Sequence, residues 1–350
     1  MPWLLGARRA ALLRPSAAFE AVPRHRTNDA LLALHPTASD GFDLRAVLAV
    51  LEQEVSEGKE PTRLAALKWI SVLLVGSRSD VLAHQGDLSP ALLDSLADAS
   101  DQVVLQALDV QASLSREDPH FRMLMDRLLR QFCEQPALLE SRGSLVIRRL
   151  CVLLGAERVF RELAAILAEM KDLQFTGIMV QALNLILLTA TETADLRALL
   201  KHTAGSGSAL FQALFPSWCH SAVATVSLCL LAQAYSQASR VVCSFGELTI
   251  SVDLLVQVDQ LVQLLETPVF THLRLQLLEP GLHPALLKAL YGLLLLLPVQ
   301  SSAWTTLSSR LQCVPTLHQI HAPSDESRAE ADLLATFKAV SLKRQSVNTI

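Results

Sequence analysis

The sequence predicts an all-α protein, and three observations predict it. Leucine-rich runs at helical spacing recur from Leu44 nearly to the C-terminus. Stretches that alternate β-branched and aromatic residues, as strands do, are scarce. The composition is 51% hydrophobic with 5% aromatic residues, so the core must be filled by Leu, Val and Ala. The clearest segment is Asp253 to Leu265. There Leu254, Leu255, Val258, Leu261, Val262 and Leu265 share one helical face, and Asp253, Asp259, Gln260 and Gln263 lie outside it.

At 350 residues the chain can hold two or three ordinary domains or one elongated array of repeats. Charged residues, at 18%, fall below the roughly 25% usual for soluble domains. Residues 1–40 lie outside the predicted fold. Five arginines, Arg8, Arg9, Arg14, Arg24 and Arg26, accompany a single acid, Glu20, between Met1 and Asn28. That composition reads as a disordered leader, a targeting segment or a start placed inside a longer gene.

The first helical pair begins at Asp43, where Leu44, Val47, Leu48, Leu51 and Val55 make one face. Gly58 and Pro61 separate it from a second helix, Thr62 to Val75, which stops at Gly76. In the next pair Ser89-Pro90 is expected to supply an N-cap and a first-turn proline. Leu92, Leu93 and Leu96 form the buried stripe, and Asp98 to Asp101 makes the turn. Val104, Ala107, Leu108 and Ala112 line the following helix. A leucine-rich helix, an Asp-x-x-Asp-x-Val turn and an Ala/Leu helix resemble a HEAT repeat, whose period is about 40 residues. Further breaks at Asp118-Pro119, Gln135-Pro136, Gly143, Gly155, Asp172, Gly205 to Ser208, Gly246, Thr267-Pro268 and His283-Pro284 delimit the remaining helices. The expected architecture is a HEAT-like helical repeat array, an α-solenoid, over residues 41–134. A specialised helical region follows from residue 135.

The search for chemistry excludes more than it finds. A net charge of -4 and a pI near 6.2 argue against a nucleic-acid surface. Cys133, Cys151, Cys219, Cys229, Cys243 and Cys313 form no CxxC pair and read as buried thiols. Gly205-Ser206-Gly207-Ser208 lacks the preceding strand of a nucleophile elbow and the Gly-Lys ending of a phosphate loop, and is expected to be a flexible linker. Cys219 and His220 point about 100° apart on a helix and do not converge as metal ligands. No histidine pair has metal-ligand spacing, and no cofactor motif is present. Arg142, Arg148 and Arg149 form a small basic cluster, which reads as a solvated helix face or a phosphoinositide contact. Leu286 to Val299 is interrupted by Lys288, Tyr291 and Pro298 and is shorter than the ~20 residues a membrane-spanning helix needs.

A family resemblance is carried by blocks in the same order along the chain. They are Ile147-Arg148-x-Leu150-Cys151, Ala182-Leu183-Asn184-x-Ile186-Leu187-Leu188-Thr189, Ser217-Trp218-Cys219-His220 and Thr225-Val226-Ser227-Leu228-Cys229. Val258 to Glu266, Pro268 to Leu278, Leu290-Tyr291-Gly292-Leu293-Leu294 and Gln300-Ser301-Ser302-Ala303 follow. These blocks resemble the C-terminal region of the ArPIKfyve vacuole-morphology scaffold family, with weaker similarity back through Leu67-Lys68-Trp69 and Asp98 to Val103.

The resemblance implies a non-catalytic, self-associating scaffold in phosphatidylinositol 3,5-bisphosphate metabolism. It would join a phosphatidylinositol 3-phosphate 5-kinase to a Sac-domain phosphoinositide 5-phosphatase on the cytosolic face of endosomal or vacuolar membranes, held there through its partners. Residues 135–314 would be the phosphatase-binding region, and residues 315–350 a tail with an oligomer-forming helix. In that tail Ala329, Leu333, Leu334, Phe337 and Val340 recur at helical spacing between Glu326 and Leu342. Kinase recruitment in the family involves further upstream repeats that residues 1–40 do not resemble. The competing reading is a HEAT-repeat adaptor without phosphoinositide function. For partner binding the candidates are Trp218, Arg274, Gln276 and Tyr291, because aromatic and arginine side chains combine contact area with hydrogen bonding. The same four read equally as core aromatics and helix-surface polar groups.

Overall fold

The computed structural model describes residues 44–76, 78–83, 85–202, 205–247, 250–315 and 328–348. Residues 1–40 lie outside the described residues. Among those described there are eighteen α-helices and no strand, so the protein is all-α. The chain forms two compact units, residues 1–159 and 160–350.

The first unit contains α1 (Leu44–Glu57), α2 (Glu60–Gly76), α3 (Arg78–Ala83) and α4 (Gln85–Asp94), then a 3-10 turn at Ser95–Ala97. It continues with α5 (Asp101–Leu114), α6 (Asp118–Glu134) and α7 (Pro136–Leu154). A further helix, α8 (Ala156–Glu169), spans the point where the units divide. In the first unit α1 packs on α2 and α4, α2 on α5, and α5 and α6 on α7. One core holds Leu48 and Val55 of the first expected stripe with Leu67 and Ile70, and of the second pair it takes Leu92 and Ala107 together with Val103 and Val110, while Leu93 is only half-buried. Pro61 sits inside the first turn of α2, where its missing N–H leaves no intrahelical bond unmade.

Two expectations here fail. Gly143 does not break the chain, since it lies buried inside α7. Ser89-Pro90 does not open a helix, because α4 starts at Gln85 and carries Pro90 inside it. With no N–H at its sixth position, the short helix gives up one backbone bond, and Ser89 Oγ accepts a hydrogen bond from Arg127 Nη1 instead of capping.

Polar rungs join the helices of this unit at a nearly constant interval in sequence. Arg63 Nε pairs with Asp98 Oδ2 at 2.7 Å, 35 residues on. Gln131 Nε2 donates to Leu93 O at 3.0 Å across 38 residues. Arg149 grips Asp109 with Nη2 to both carboxylate oxygens at 2.6 and 2.9 Å, and Arg158 reaches Asp118 at 2.8 Å, both across 40 residues. The interval matches the ~40-residue period of helical-hairpin repeats. The Asp98 to Asp101 turn is held by two arginines, Arg63 and Arg142. Asp98 accepts from Ser100 N at 2.8 Å, while Arg142 pairs with Asp101 and donates to Asp98 O and Ala99 O at 3.1 and 2.9 Å. Arg142 and Arg149, two members of the basic cluster, are thereby committed to internal acids and carbonyls. Burial pushes the Asp109 carboxyl above its usual range, and Arg149 only partly opposes that.

The second unit contains α9 (Leu173–Thr189), α10 (Ala194–Leu200), α11 (Ser206–Trp218), α12 (Ala222–Leu231) and α13 (Tyr235–Cys243). It is completed by α14 (Val252–Leu265), α15 (Thr271–Gln276), α16 (Pro284–Leu296), α17 (Ser302–Gln312) and α18 (Arg328–Asn348). Asp172 caps α9, accepting from Gln174 N and Phe175 N at 3.0 Å. At the centre is α12, buried from Val223 to Leu231 and packed by α9, α11, α13 and α14. A helix apolar all round needs such a position.

The Gly205 to Ser208 segment is not a linker: Gly205, at φ 67°, precedes α11, and Ser206 to Ser208 form its first turn. Its glycines serve packing. A Cβ on Gly207 would collide with the carbonyl oxygens of Leu199 and His202, so only glycine lets the two backbones approach. The tail helix also differs from its expected bounds. It runs to Asn348 and lies against α11 and α13, with Phe337 fully buried.

No single helix among the described residues is long and apolar enough to cross a membrane. The pair α9 and α10, with the 3-10 turn between them, meets the length and composition together but bends by 84°. Its apolar residues Met179, Val180, Leu183 and Leu187 are core.

Candidate functional site

The segment from α14 to α17 is where internal bonding and outward apolar surface separate most clearly. Ser251 caps α14, its hydroxyl accepting from Leu254 N at 3.2 Å, and Leu261, Val262 and Leu265 face inward as the periodicity requires. The carbonyls at the C-terminal end of α14 are taken by Arg274, which donates to Leu265 O, to Thr267 O at 2.8 Å and to Thr271 Oγ1 at 3.2 Å. A cation at a helix C-terminus also complements the helix dipole. Arg310 holds Glu266 from α17, its Nη2 at 2.5 Å from Oε2 and Nε at 3.2 Å from Oε1.

A second polar chain fixes α15. Tyr235 donates its hydroxyl proton to Gln276 Oε1, Gln276 Nε2 donates to Gln233 Oε1 at 2.8 Å, and Gln233 Nε2 donates to Lys201 O at 3.2 Å. Gln233 occupies the left-handed region at φ 59°, just past the end of α12. Ala234 N bonds Cys229 O at 2.9 Å and Gln233 N bonds Leu230 O at 3.4 Å, the pattern of a Schellman cap that usually carries glycine. Here the side-chain bonds of Gln233 compensate for a backbone conformation that glycine would adopt freely. Burial raises the Tyr235 phenol above its usual range, so it stays protonated as a donor. The Tyr235 ring also meets His283 edge-on, with centroids 5.7 Å apart.

With these bonds made inside, large apolar side chains stand outside among exposed polar residues such as Glu279 and Lys288. Leu275, Leu278 and Leu282 are 60, 63 and 71% exposed. On α16 the inward face of Leu286, Ala289, Leu290 and Leu293 packs in the core, chiefly on α13. Its opposite face presents Tyr291 at 48% and Leu295 at 85%, followed by Val299 at 67%. Leu275 lies on α15 and Leu278 and Leu282 in the turns that follow it, while Tyr291 and Leu295, four residues apart, share one outward face of α16. Ile250 and Val252 are exposed at the start of the same segment. Large exposed apolar side chains that recur within one stretch of sequence are candidates for contact with another apolar surface.

The four sequence candidates fall into different places. Trp218 is fully buried, its Nε1 donating to Asn184 Oδ1 at 3.3 Å beside Ser227 Oγ at 2.7 Å from the same oxygen. Arg274 and Gln276 are the internal fasteners just described. Tyr291 faces solvent on the outward face of α16. Sequence reasoning missed Leu275, Leu278, Leu282 and Leu295, because in a leucine-rich helix an outward leucine cannot be told from an inward one by residue type. Extension of apolar positions beyond one face of α16 was the only available signal.

No group of three or more potential metal ligands occurs among the described residues. Cys151, Cys219 and Cys229 are buried, and burial raises the Cys219 and Cys229 thiols far above the usual range, so they behave as small apolar groups. The expectation of six buried thiols fails at Cys243 and Cys313, which are exposed, and at Cys133, which is half-buried.

Comparison with known proteins places residues 136–314 in the family described as vacuolar protein 14 C-terminal Fig4p binding. The chain is 52% identical over 297 residues to the Protein VAC14 homolog of Arabidopsis thaliana, covering 84% of this chain and 40% of that one. It is 41% identical over 314 residues to the Protein VAC14 homolog of Schizosaccharomyces pombe, covering 87% and 39%. With Vacuole morphology and inheritance protein 14 of Saccharomyces cerevisiae it shares 35% identity over 251 residues, covering 71% and 28%. The chain thus spans 40% or less of the length of these relatives. No solved structure matches.

Proposed function

Since the chain belongs to the vacuolar protein 14 family, we propose that it is a non-catalytic scaffold in phosphatidylinositol 3,5-bisphosphate metabolism, and that its second unit docks a Sac-domain phosphoinositide phosphatase of the Fig4 kind. The observation that carries the reading is a coincidence of position. The exposed apolar residues Leu275, Leu278, Leu282, Tyr291, Leu295 and Val299 lie inside residues 136–314, the span matched to a phosphatase-binding family. The physical logic of a scaffold is concentration. Holding an enzyme beside a second partner replaces diffusional encounter by an effective concentration set by geometry.

The proposal extends to a lipid kinase held by the same assembly, to association of several copies of this chain, and to a peripheral position on endosomal or vacuolar membranes reached through its partners. Tyr291 is the aromatic anchor of the docking surface in this reading, and the flanking leucines supply apolar area around it.

Co-expression with a Sac-domain phosphoinositide phosphatase, affinity capture and light-scattering mass determination test the proposal together. A stable complex containing more than one copy of this chain is the expected result. A folded chain that captures no phosphatase would overturn the docking role, and a complex with a single copy would overturn self-association.

A further inference from the structure

The last turn of α5 buries a polar side chain on an apolar face. Val104, Ala107, Leu108 and Leu114 are buried along that helix, and Gln111 stands among them at 4% exposure. A carboxamide carries two N–H donors and a carbonyl acceptor. Gln111 Nε2 and Oε1 are both enclosed, and neither has a hydrogen-bond partner. A leucine there would complete the buried face, whereas an orphaned carboxamide costs stability at both of its polar atoms. Gln131 of α6, also buried, at least spends its Nε2 on Leu93 O at 3.0 Å.

Gln111 lines a cleft between α4, the end of α5 and the start of α6. Ser89 of α4, Ser115 just past α5, and His120 and Arg127 of α6 line it as well, with the exposed Met123 beside them. Counted to its open mouth the cleft encloses about 290 Å³, and about 10 Å³ of that is open to the centre of a water-sized group. That is room for the leading atoms of a side chain, and it excludes a nucleotide or a lipid headgroup. No acid is among the described lining residues, and Arg127 is already engaged through Nη1, which donates to Ser89 Oγ.

We propose that this cleft recognises a primary carboxamide, the side-chain group of asparagine and glutamine, through two hydrogen bonds to Gln111. The carbonyl of such a group accepts from Gln111 Nε2 while its N–H on the same edge donates to Gln111 Oε1, so one ligand answers both orphaned atoms. A carboxylate can only accept and would set a negative charge against Oε1, and an ammonium can only donate. A trans peptide unit carries its N–H and C=O on opposite edges and cannot make both bonds to one carboxamide. The N–H groups of Arg127 not spent on Ser89 can serve the second lone pair of the ligand carbonyl. In sequence the cleft lies ahead of residues 136–314, so this recognition is independent of phosphatase docking.

The test uses the full chain and saturation-transfer NMR, which detects the weak binding of small probes. Acetamide is compared with N-methylacetamide, whose N–H lies trans to its carbonyl, and with N,N-dimethylacetamide, which has no N–H. Acetamide is expected to bind saturably and the other two at least about tenfold more weakly, since each lacks the second hydrogen bond. Gln111→Met, nearly equal in length and volume, weakens acetamide binding by at least about tenfold. Without acetamide the same variant raises Tm by about 2 °C or more, because the orphaned carboxamide is gone. Gln131→Met, the same change at a buried glutamine that does not line the cleft, keeps wild-type acetamide binding. Helical circular dichroism confirms that each variant is folded. Two further probes separate the sources of the group. Binding of glutamine blocked as its N-acetyl, N-methylamide derivative assigns the pocket to a residue within a polypeptide partner, and binding of free glutamine alone assigns it to the free amino acid. Binding of neither, equal binding of the three small amides, or acetamide binding that Gln111→Met leaves intact overturns the proposal. So does a fall in Tm for Gln111→Met, which would show the carboxamide to be held by water.

Discussion

Replacing Gln276 by leucine separates a fastener from a docking residue. Gln276 accepts from the Tyr235 hydroxyl and donates to Gln233 Oε1 at 2.8 Å. Tyr235 is only 7% exposed, so water cannot take over the hydroxyl, and an orphaned buried hydroxyl costs about 1–3 kcal/mol. Gln233 is less enclosed and recovers part of its bond from solvent, so the second loss adds at most about 1 kcal/mol. Gln276→Leu is therefore expected to destabilise the chain by about 2–3 kcal/mol in urea unfolding followed by circular dichroism, with an unchanged slope against denaturant. Adding Tyr235→Phe removes the orphan. The double variant should be more stable than the sum of the two single changes predicts, by about 1 kcal/mol or more. A loss below about 0.5 kcal/mol for Gln276→Leu, or strict additivity in the double variant, would refute the reasoning and return Gln276 to the surface.

Three further outcomes are expected. Leu278→Asp with Leu295→Asp leaves stability within about 1 kcal/mol of wild type, since both side chains are exposed, and lowers phosphatase capture by at least about tenfold; undiminished capture would place the interface elsewhere. Gly207→Ala forces a methyl group onto the carbonyls of Leu199 and His202 and costs about 2 kcal/mol or more in the same unfolding assay, so a neutral result would contradict the close approach of α10 and α11. The Asp109 carboxyl binds its proton more tightly in the folded chain than the unfolded value of about 3.9 implies. Its contribution is fully present below that value and is lost as pH rises through the folded pKa. Asp109→Asn, which cannot ionise, should therefore gain stability relative to wild type between about pH 4 and pH 7, and a change of the opposite sign would disprove the raised pKa.

The helical class and most helix positions were legible because periodicity is a local property. The stripe on Leu44, Val47, Leu48, Leu51 and Val55 needs only one helix to be read, and α1 spans it. Positions decided by a distant neighbour were not legible. Gly207 reads as linker glycine until the carbonyls of Leu199 and His202 are placed beside it. Arg274 and Gln276 read as surface hot-spot residues until helix ends come within reach. Arg142 and Arg149 read as free basic charge until Asp101 and Asp109 arrive from α5. The outward leucines Leu275, Leu278, Leu282 and Leu295 were invisible for the complementary reason, since nothing local distinguishes a leucine that finds a neighbour from one that does not.

The rungs of the first unit also act as a measure of chain length. Arg149 meets Asp109 across 40 residues and Arg158 meets Asp118 across the same interval, so the two pairs are commensurate. A single residue inserted into α7 ahead of Arg149 would swing that guanidinium by about 100° around the helix axis and strand both partners at once. Inserted instead into the turn between α6 and α7, the same residue could be looped out with the register of every rung preserved. This unit thus tolerates longer turns better than longer helices, and the paired acids and arginines mark the helix registers that the turns must still deliver.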